Sequence, residues 1–435
     1  MLKQEQNERL TQVGPGTPMG ELMRRYWHPI AAAVEMGKFP VRRRLLGEDL
    51  VVYRDKDGTY GALNPVCPHR GATLDLALVE SGGVRCPYHG WKFNETGQCT
   101  EQPAEPAGSR FKDNVRTTAY PAQEVGGLVW VYLGPQPAPL LPRYDLFVWD
   151  NCLRDVGVVT LPCNFLHIME NSVDPHHVEF LHGRFYDYVL GREPTFFTQH
   201  ATKIGFDTFE WGIIKRRLVK GQTEESDSWK IGHPLVFPNI LRVGGGGYYS
   251  FQIRVPEDDV TTKLYYYTVF KPLTEVQAPR QEQVPLYQIP LYDDKGDFRV
   301  DVIEVQDLAM WIVQGPIADR TKEKIGTSDV GVVKLRKLYE TEMAKVEAGL
   351  DPMCVIRDPA ANVEIELPQE RHAFGSAADF LKTVLDGGLI NYSPLLDDVI
   401  ALFTEADNAA AGRSPAFAGG TPGLADEPYS PDGEY

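Results

Sequence analysis

The chain has 435 residues, of which 43% are hydrophobic and 24% charged, a composition typical of a globular protein with room for two domains. Its formal net charge of −16 argues against a nucleic-acid partner, because binding to phosphate groups needs a basic surface. The N-terminus lacks the apolar core of a secretion signal, and no apolar run reaches the roughly 20 residues of a membrane helix. We therefore expect a cytoplasmic protein without a membrane partner.

The first part of the chain predicts a short helix followed by many short strands. The helix covers residues 16–27, with Thr17 as its cap and Pro18 in its first turn. Turn signals separate the strands, which reads as consecutive antiparallel hairpins. The predicted strands cover residues 42–46, 50–54, 60–66, 84–86, 91–94 and 127–133. We expect an N-terminal helical segment over residues 1–37, packed on the second domain, and a small all-β domain over residues 38–155.

The proline-rich stretch at residues 134–139 marks the exit from this domain. Beyond it the pattern predicts an antiparallel sheet that is flanked by helices. The predicted elements are a helix over residues 165–173, strands over 206–219, 240–243, 248–255 and 262–270, and a helix over 327–348. The whole is therefore expected to be α+β. We expect a catalytic domain over residues 156–403 and a loosely ordered tail over residues 404–435.

Two Cys-His pairs lie in loops of the all-β domain. Cys67-Pro-His69 and Cys86-Pro-Tyr-His89 supply two thiolates and two imidazoles, the ligand set of a Rieske [2Fe-2S] cluster. The same donors also suit a closed zinc site. Prolines and glycines in both motifs favour tight loops, whereas the histidines of zinc fingers usually lie on a helix. The pattern therefore favours the cluster. The other four cysteines have no comparable histidine, which favours reduced packing residues.

A second pair of histidines, His177 and His182, points to a different metal site. Two imidazoles and one carboxylate form the facial triad of an oxygen-activating Fe(II) centre. At this spacing the two side chains of an α-helix would lie roughly 140° apart, so the backbone must break or bend between them. Taken alone, such a pair is more often structural.

The carboxylate of the triad must come from far along the chain. Asp329 is better explained as a helix cap, and Asp319 as one half of a surface ion pair with Arg320. Asp307 lies in an apolar segment, where an ionised carboxylate is costly unless it meets a cation. The candidates are Asp301, Glu304, Asp307, Asp319 and Asp329, and Asp307 is favoured.

These motifs resemble those of a known family. Residues 67–71 and 86–91 are similar to the two signature loops of Rieske proteins. Residues 163–183 resemble the iron-binding segment of Rieske non-haem iron oxygenases, and residues 306–320 resemble the third-ligand helix of the phthalate-dioxygenase branch, a group that is similar to aryl-ether demethylases. The resemblance covers nearly all of residues 1–400.

The resemblance implies a helix-grip fold for the second domain, with His177, His182 and Asp307 as ligands of a mononuclear Fe(II). It also implies that three subunits assemble head to tail, as a homotrimer or a multiple of three. Asp174 would then connect these ligands to a cluster histidine, His89 or His69, of the next subunit.

The activity implied is that of an oxygenase component, which uses O₂ to hydroxylate or O-demethylate an aromatic acid. The sequence has no nucleotide-binding fingerprint, so a separate NAD(P)H-dependent reductase of the flavin and iron-sulfur type should supply the electrons. The alternative is a Rieske electron carrier or redox sensor without oxygenase activity. Such a carrier would not need the second iron site.

Some residues keep two interpretations. Asn171 lies either near the iron or on a helix surface. Arg242 and Arg254, on predicted strands, either bind a substrate carboxylate or form structural ion pairs. The basic run at residues 42–44 either docks an acidic electron donor or covers a strand edge. His176 is one position off the pattern and is expected beside the iron site or on the surface.

Overall fold

The computed structural model describes residues 1–193, 198–369, 385 and 387–412. Its α-helices are α1 (Gln4–Thr11), α2 (Pro18–Met23), α3 (Asp145–Val148), α4 (Phe165–Ser172), α5 (Tyr186–Leu190), α6 (Asp227–Lys230), α7 (Ile303–Val313), α8 (Val330–Glu347) and α9 (Leu396–Gly412). A π-helical segment, Val178–Phe185, precedes α5.

The strands are β1 (Trp27–Ala32), β2 (Val41–Leu45), β3 (Glu48–Arg54), β4 (Tyr60–Leu63), β5 (Leu78–Glu80), β6 (Gly83–Arg85), β7 (Lys92–Phe93), β8 (Cys99–Glu101), β9 (Ala119–Tyr120), β10 (Ala122–Val125), β11 (Leu128–Tyr132), β12 (Leu153–Leu161), β13 (Ala201–Phe209), β14 (Gly212–Val219), β15 (His233–Val236), β16 (Ile240–Gly245), β17 (Tyr248–Asp258), β18 (Thr261–Phe270) and β19 (Leu286–Gln288).

Strands β1 to β11 form three small antiparallel sheets, in the orders β2-β3-β4-β9, β5-β6-β7-β8 and β1-β11-β10. The first two of these sheets share a core in which alternate strand residues point inward, as the period of two requires. The buried residues of that core are Val51, Tyr53, Leu63, Cys67, Ala77, Leu74, Val84, Cys86, Trp91, Phe93 and Cys99. The buried residues of β1 and β11 belong instead to the core that includes the large sheet of the second half. Both Cys-His motifs lie in loops of these sheets, one after β4 and the other between β6 and β7. The α+β fold expected from the sequence, with an all-β first part and an antiparallel second sheet, is confirmed.

The second sheet has the order β13-β14-β15-β16-β17-β18-β12-β19 in the described residues, with parallel pairing only between β12 and β19. The sequence predicts one strand over residues 206–219, and this is wrong. The chain turns back at Trp211, and Gly212 begins β14 with a φ of +143°. A Cβ at Gly212 would lie 2.1 Å from the carbonyl oxygen of Leu235, so the turn and the close neighbouring strand both require glycine.

Two other boundaries differ from the prediction. The helix expected over residues 16–27 ends at Met23, and Trp27 already starts β1. Thr17 does cap this helix, since its side chain accepts a hydrogen bond from the backbone N–H of Gly20. Strand β12 has no counterpart among the predicted elements, because its nine residues are buried almost throughout and lack a clear alternation.

The large sheet presents different residues to its two sides. Phe251 and Tyr267 face each other across β17 and β18, and both contact Phe147 in the segment that leaves the first domain. The next pair along the strands, Gln252 and Tyr266, points the opposite way. On that side Tyr266 shares an apolar cluster with Val305 and other residues of α7. The N-terminal sheets and α7 therefore lie on opposite sides of the large sheet.

The N-terminal helix α1 is fixed to the second half of the chain. The Asn7 amide donates a hydrogen bond to the Ala318 carbonyl oxygen, and Arg9 forms ion pairs with Glu340 and Glu347. At the other end, α9 continues to Gly412, past residue 403 where the sequence predicts that a loose tail begins. Residues 413–435 of that predicted tail lie outside the described residues. Within the described part of the chain, no helix is both long enough and apolar enough to traverse a bilayer.

Candidate metal centres

The structure brings together His177, His182 and Asp307. One donor atom from each lies within 4.8 Å of the others. The Asp307 Oδ1 atom is 3.3 Å from His182 Nε2 and 3.8 Å from His177 Nε2. All three side chains are mostly shielded from solvent. Two imidazole nitrogens and one carboxylate oxygen that converge in this way form the donor set of a facial triad.

A π-helical segment explains how two histidines five positions apart can converge. In Val178–Phe185 the backbone hydrogen bonds span five residues, so residues i and i+5 come round to nearly the same side. The sequence predicts a break or bend between His177 and His182, and this is wrong, because the wider helix achieves the alignment without one. Such π-helical turns are frequent at functional sites.

Gln306 fixes the orientation of His182, and the sequence analysis did not identify it. The Gln306 Nε2 group donates to the Val300 carbonyl oxygen at 2.8 Å, so its Oε1 atom faces His182 Nδ1 at 3.0 Å. An amide oxygen can only accept, and His182 Nδ1 must therefore carry the hydrogen. In the neutral imidazole, the lone pair of His182 Nε2 therefore lies on the side of Asp307. The only signal of Gln306 in the sequence is that it is a polar residue within an apolar helix.

The electrostatics of the triad suit a cation. Burial tends to raise the pKa of Asp307, but the positive charge available on His182 and His177 outweighs it and lowers that pKa to about 2. Burial likewise opposes charge on His182, yet Asp307 raises the pKa of that imidazole. Asp307 is therefore ionised in a buried position, and a metal ion would neutralise it there.

Two further predicted residues border the triad. The Asn171 amide, on α4, lies 3.4 Å from Asp307 Oδ1, a long contact. The Asp174 Oδ2 atom is 3.6 Å from His177 Nδ1, and its Oδ1 accepts a hydrogen bond from the backbone N–H of His176. Burial tends to raise the pKa of Asp174, but His177 lowers it. About a third of the Asp174 side chain remains exposed, 34%, so one oxygen stays accessible from outside.

Lys215 also borders this region and was missed in the sequence. Its ammonium group lies 3.4 Å from the backbone carbonyl oxygen of Asp174. Burial, together with the neighbouring charge of Arg217, lowers the pKa of Lys215 to about 8. A lysine on a predicted strand carries no signal that would distinguish it from a surface residue.

The other carboxylates that the sequence offers as ligands have different partners. Asp301 pairs with Arg299, and Glu304 accepts a hydrogen bond from the backbone N–H of Leu389. Asp319 pairs with Lys322, so the predicted pair with Arg320 is wrong. Arg320 instead reaches the buried Glu170. Asp329 accepts from the backbone N–H of Gly326, so its side chain caps the turn before α8 and makes no capping bond to the helix itself.

The four residues of the two Cys-His motifs form a second site. Cys67 and Cys86 are 1% and 2% exposed, and burial together with the nearby Cys86 thiol raises the pKa of Cys67 to about 11. The rings of His69 and His89 are 4.6 Å apart and partly exposed. The thiols therefore lie inside and the imidazoles outside, and thiols in such a site need a metal to become thiolates.

The spacing of these donors separates a cluster from zinc. A single tetrahedral zinc ion, with Zn–S bonds of about 2.3 Å, would draw its donors to within about 4 Å of one another. Among the described residues, His177, His182 and Asp307 are the group with donors within 4.8 Å, and the four Cys-His residues do not form such a group. A wider site suits two irons, one held by the cysteines and the other by the histidines.

The loops around these donors are fixed by backbone hydrogen bonds. The N–H groups of Gly71 and Gly90 donate to the carbonyl oxygens of Cys67 and Cys86, both at 3.0 Å. Both glycines have φ near +75°, which side-chain-bearing residues rarely adopt. The ring of Trp91 stacks on His69 with centroids 4.2 Å apart.

The two arginines predicted for substrate binding differ sharply. Arg242 Nη1 contacts both carboxylate oxygens of Asp145, at 2.6 and 2.7 Å, and Nη2 contacts Gln369. Arg242 lies on the side of Phe251, away from the triad. Of its two interpretations, the structure therefore supports the structural ion pair. Arg254 is fully buried on the triad side, and its guanidinium hydrogen-bonds only to Gln252 among the described residues.

The basic run at residues 42–44 lies on β2, the edge strand of its sheet. Each arginine has an acidic partner. Arg42 pairs with Asp75, Arg43 with Glu35, and Arg44 with Asp49. These pairs favour a covered strand edge over a docking surface for an electron donor.

The comparisons with known proteins agree with the donor sets of the two centres. Residues 26–121 match the family model of the Rieske [2Fe-2S] domain, and residues 274–367 match that of the "LigXa C-terminal domain like" family. The chain is 42% identical over 373 residues to the 5,5'-dehydrodivanillate O-demethylase oxygenase subunit of Sphingobium sp., covering 85% of this chain and 87% of the relative. The chain belongs to the Rieske oxygenases.

Other relatives of this oxygenase extend the comparison. It is 33% identical to the phthalate 4,5-dioxygenase oxygenase subunit of Pseudomonas putida, over 80% of this chain and 88% of that protein. It is 43% identical to the tert-butanol monooxygenase / tert-amyl alcohol desaturase oxygenase subunit of Aquincola tertiaricarbonis, over 80% and 78%. The solved structure of Pseudomonas putida CBB5 NdmA with caffeine superposes with a TM-score of 0.58 at 21% identity, covering 78% of this chain and 98% of that one, and this likeness bears on the fold.

The cofactors of this oxygenase are a Rieske [2Fe-2S] cluster and a mononuclear iron. Both candidate centres have donor sets that fit them. The Cys-His loops offer two thiols and two imidazoles, the ligand set of a two-iron cluster, and the triad offers an ionised carboxylate between two imidazoles.

Proposed function

We propose that this chain oxidises an aromatic acid with O₂, either by hydroxylating the ring or by removing an O-methyl group, as the oxygenase component of a Rieske system. The convergence of His177, His182 and Asp307 in a chain with a Rieske domain carries the proposal. A pure electron carrier would have no use for this triad. The family assignment likewise identifies the chain as an enzyme.

We assign the iron ligands to His177 Nε2, His182 Nε2 and one oxygen of Asp307. The cluster ligands are Cys67, Cys86, His69 and His89. When bound, the ferrous ion supplies a site that activates O₂, and the cluster supplies electrons to it. The protein's own part is positional. Gln306 keeps the hydrogen of His182 on Nδ1, and the Asn171 amide contacts the oxygen of Asp307 that faces both imidazoles.

As an oxygenase subunit the chain works with a separate reductase. We propose a reductase of the flavin and iron-sulfur type that takes electrons from NAD(P)H. We further propose a cytoplasmic location, where NAD(P)H is available. All six cysteines are free, which fits a reducing compartment.

We propose that the active assembly is a head-to-tail homotrimer, or a multiple of three. Two exposed apolar patches support this. The cluster patch consists of Val66, Leu76, Leu78, Tyr88 and Phe111, and the iron patch consists of Phe180, Phe185, Tyr188 and Leu190. Exposed apolar surface of this kind marks interaction sites. Within one chain the large sheet separates α7 from the N-terminal sheets, so contact between the two patches of neighbouring chains would supply the shorter path for electrons.

Asp174 would complete this path. Its carboxylate contacts His177, and its exposed fraction leaves one side open to a partner. His69 and His89 are also partly exposed. We propose that Asp174 accepts a hydrogen bond from one of these histidines in the neighbouring subunit, which connects the two centres across the interface.

Arg254 would supply positive charge for the carboxylate of an aromatic acid on the triad side of the large sheet. Arg254 is fully buried there, and no carboxylate among the described residues lies within ion-pair distance of it. The charge of Asp307 acts on Arg254 from beyond ion-pair distance. A buried guanidinium without a direct ion pair is costly, which supports an anionic partner from outside the chain. The relatives named above act on phthalate, on dehydrodivanillate and on tert-butanol, so the substrate has to be found by experiment.

The experiment is turnover of the purified protein with a surrogate reductase, NADH and a panel of phthalates and methoxylated benzoates. Formaldehyde would report O-demethylation, and a diol would report ring dihydroxylation. About three irons per chain with two acid-labile sulfides are expected. About two irons, with no product from any acid in the panel, would contradict the proposal and favour an electron carrier.

A further inference from the structure

Three buried side chains form a hydrogen-bonded relay on the triad side of the large sheet. Arg254 Nη2 donates to Gln252 Oε1 at 2.6 Å, and Gln252 Nε2 donates to the hydroxyl oxygen of Tyr266. Arg254 and Gln252 are two positions apart on β17, and Tyr266 is the direct partner of Gln252 on β18. Arg254 is 0% exposed, Gln252 7% and Tyr266 4%, so water can contribute little to these hydrogen bonds.

The direction of this relay is fixed by chemistry. A guanidinium has only donors, so the Gln252 amide must turn its oxygen toward Arg254. The amide NH₂ then faces Tyr266, and the Tyr266 oxygen must accept. The hydrogen of the Tyr266 hydroxyl has no acceptor among the described residues. Buried tyrosine hydroxyls usually have a partner, because an unused buried donor is costly.

The Tyr266 hydroxyl lies near the candidate iron site. Tyr266 packs with Val305 and Leu308 of α7, the helix that carries Asp307. Burial raises the pKa of Tyr266, and the charges of Glu304 and Asp307 raise it further, so the hydroxyl keeps its hydrogen. The unused donor therefore lies on the same side of the sheet as α7 and within electrostatic range of Asp307.

The charge behind the relay selects what that donor can bind. Arg254 has two nitrogen atoms, Nε and Nη1, without partners in the described chain. Hydrogen bonds in a chain polarise one another, so the guanidinium makes the Tyr266 hydrogen a stronger donor. A negatively charged oxygen is the acceptor that gains most from this arrangement.

We propose that Tyr266 determines specificity in the oxygenase reaction by donating a hydrogen bond to a carboxylate oxygen of the aromatic substrate. Gln252 and Arg254 act as positioning residues that direct its hydroxyl hydrogen toward that oxygen. The inference rests on the proposed function, and it adds the residue that recognises the carboxylate of the substrate.

The test measures binding of 3-methoxybenzoate to the iron-loaded protein by isothermal titration calorimetry. Tyr266→Phe should weaken binding about 10- to 100-fold, the usual effect of losing a hydrogen bond to a charged group. Binding of 3-methoxybenzamide, which has the same shape without the charge, should change much less. The matched control is Tyr265→Phe. Tyr265 is its neighbour on β18, faces the other side of the sheet, and has a buried hydroxyl without a hydrogen-bond partner among the described residues.

A second variant keeps Tyr266 and changes only the direction in which its hydroxyl hydrogen points. Gln252→Glu places a carboxylate between Arg254 and Tyr266, and that carboxylate accepts the hydroxyl hydrogen. Its effect on 3-methoxybenzoate binding should therefore match that of Tyr266→Phe, although Tyr266 is still present.

Equal affinity of wild type and Tyr266→Phe for 3-methoxybenzoate would overturn the assignment, as would failure of the wild type to bind any benzoate. Iron content and turnover of the wild type decide the proposed function separately. A wild type with three irons and activity on aromatic acids, together with an unaffected Tyr266→Phe, would refute the role of Tyr266 alone.

Discussion

Asp307 is the residue on which the two-centre interpretation depends. It is mostly shielded from solvent, it is ionised, and it faces two imidazoles. Asp307→Ala should abolish turnover, because two imidazoles without the carboxylate hold ferrous iron poorly. Iron content should fall from about three to about two per chain, while the visible spectrum of the cluster stays unchanged.

The matched control for this variant is Asp319→Ala, which removes an exposed carboxylate paired with Lys322. It should keep three irons and full activity. Bleaching of the cluster spectrum in Asp307→Ala would instead mean that Asp307 belongs to the cluster site.

Gln306 gives a second prediction at the scale of a residue. Gln306→Leu removes the acceptor for His182 Nδ1, so His182 can rotate or change tautomer. Partners of this kind typically contribute 10- to 100-fold in metal affinity, and we expect a loss of that size in a ferrous-iron titration. Gln314→Leu, on an exposed residue just after the same helix, is the control and should bind iron like wild type. Unchanged affinity in Gln306→Leu would show that packing alone orients His182.

The sequence predicts the residues of the two centres because their chemistry depends on residue type and local spacing. Cys67 and His69, like His177 and His182, lie within a few positions of each other. Asp307 required more, namely its apolar surroundings and the resemblance of its segment. Gln306 was missed because its role follows from where Val300 lies in space, which no local pattern encodes.

At the scale of elements, the structure shows where local patterns fail. The hairpin of β13 and β14 reads as one strand because its two turn residues, Glu210 and Trp211, are not typical of turns, and Gly212 is the only such signal beside them. Strand β12 is buried throughout and lacks alternation, so it has no clear signature. The π-helical segment after His177 follows from no propensity that the sequence displays. Its presence depends on tertiary contacts, such as that of His182 with Gln306 of α7.

Strand β12 also carries a buried carboxyl that makes stability depend on pH. Asp155 is 1% exposed and hydrogen-bonds to Ser393, in the segment before α9. Burial raises the pKa of Asp155 to about 7. A raised pKa in the folded state means that the folded protein holds the proton more tightly. The associated stability is complete below the unfolded pKa, near 4, and is lost as the pH rises through about 7.

Asp155→Asn should remove this dependence. Between pH 4 and pH 8 the wild type should lose up to about 4 kcal/mol relative to the variant. Urea unfolding at several pH values measures the difference. Asp113→Asn, on an exposed carboxylate that pairs with Arg110, serves as the control. If the two variants had parallel pH profiles, Asp155 would not be the group responsible.

At the scale of the whole molecule, the exposed patches predict an assembly. Tyr188 is 84% exposed within the iron patch. Tyr188→Asp should convert the proposed trimer to smaller species in analytical ultracentrifugation, because a charge within an apolar contact is costly to desolvate. Turnover should fall with the trimer, while each chain keeps its three irons.

Val363→Asp provides the comparison, since Val363 is 72% exposed and lies outside both patches. It should leave assembly and turnover unchanged. A Tyr188→Asp protein that remains trimeric and active would remove the iron patch from the proposed interface. The sequence could not reveal either patch, because the fold decides which apolar side chains remain exposed.

The alternation of the large sheet lets one pair of strands serve two neighbours. On β17 and β18, Phe251 and Tyr267 pack against Phe147 and hold the first domain in position. Gln252, Arg254 and Tyr266 face the other side, where α7 carries Asp307. Odd-numbered positions of β17 can therefore stay constant for architecture while even-numbered ones change with the compound to be oxidised. A lineage could acquire new chemistry on this scaffold by exchanging every other residue and leaving its electron-delivery half untouched.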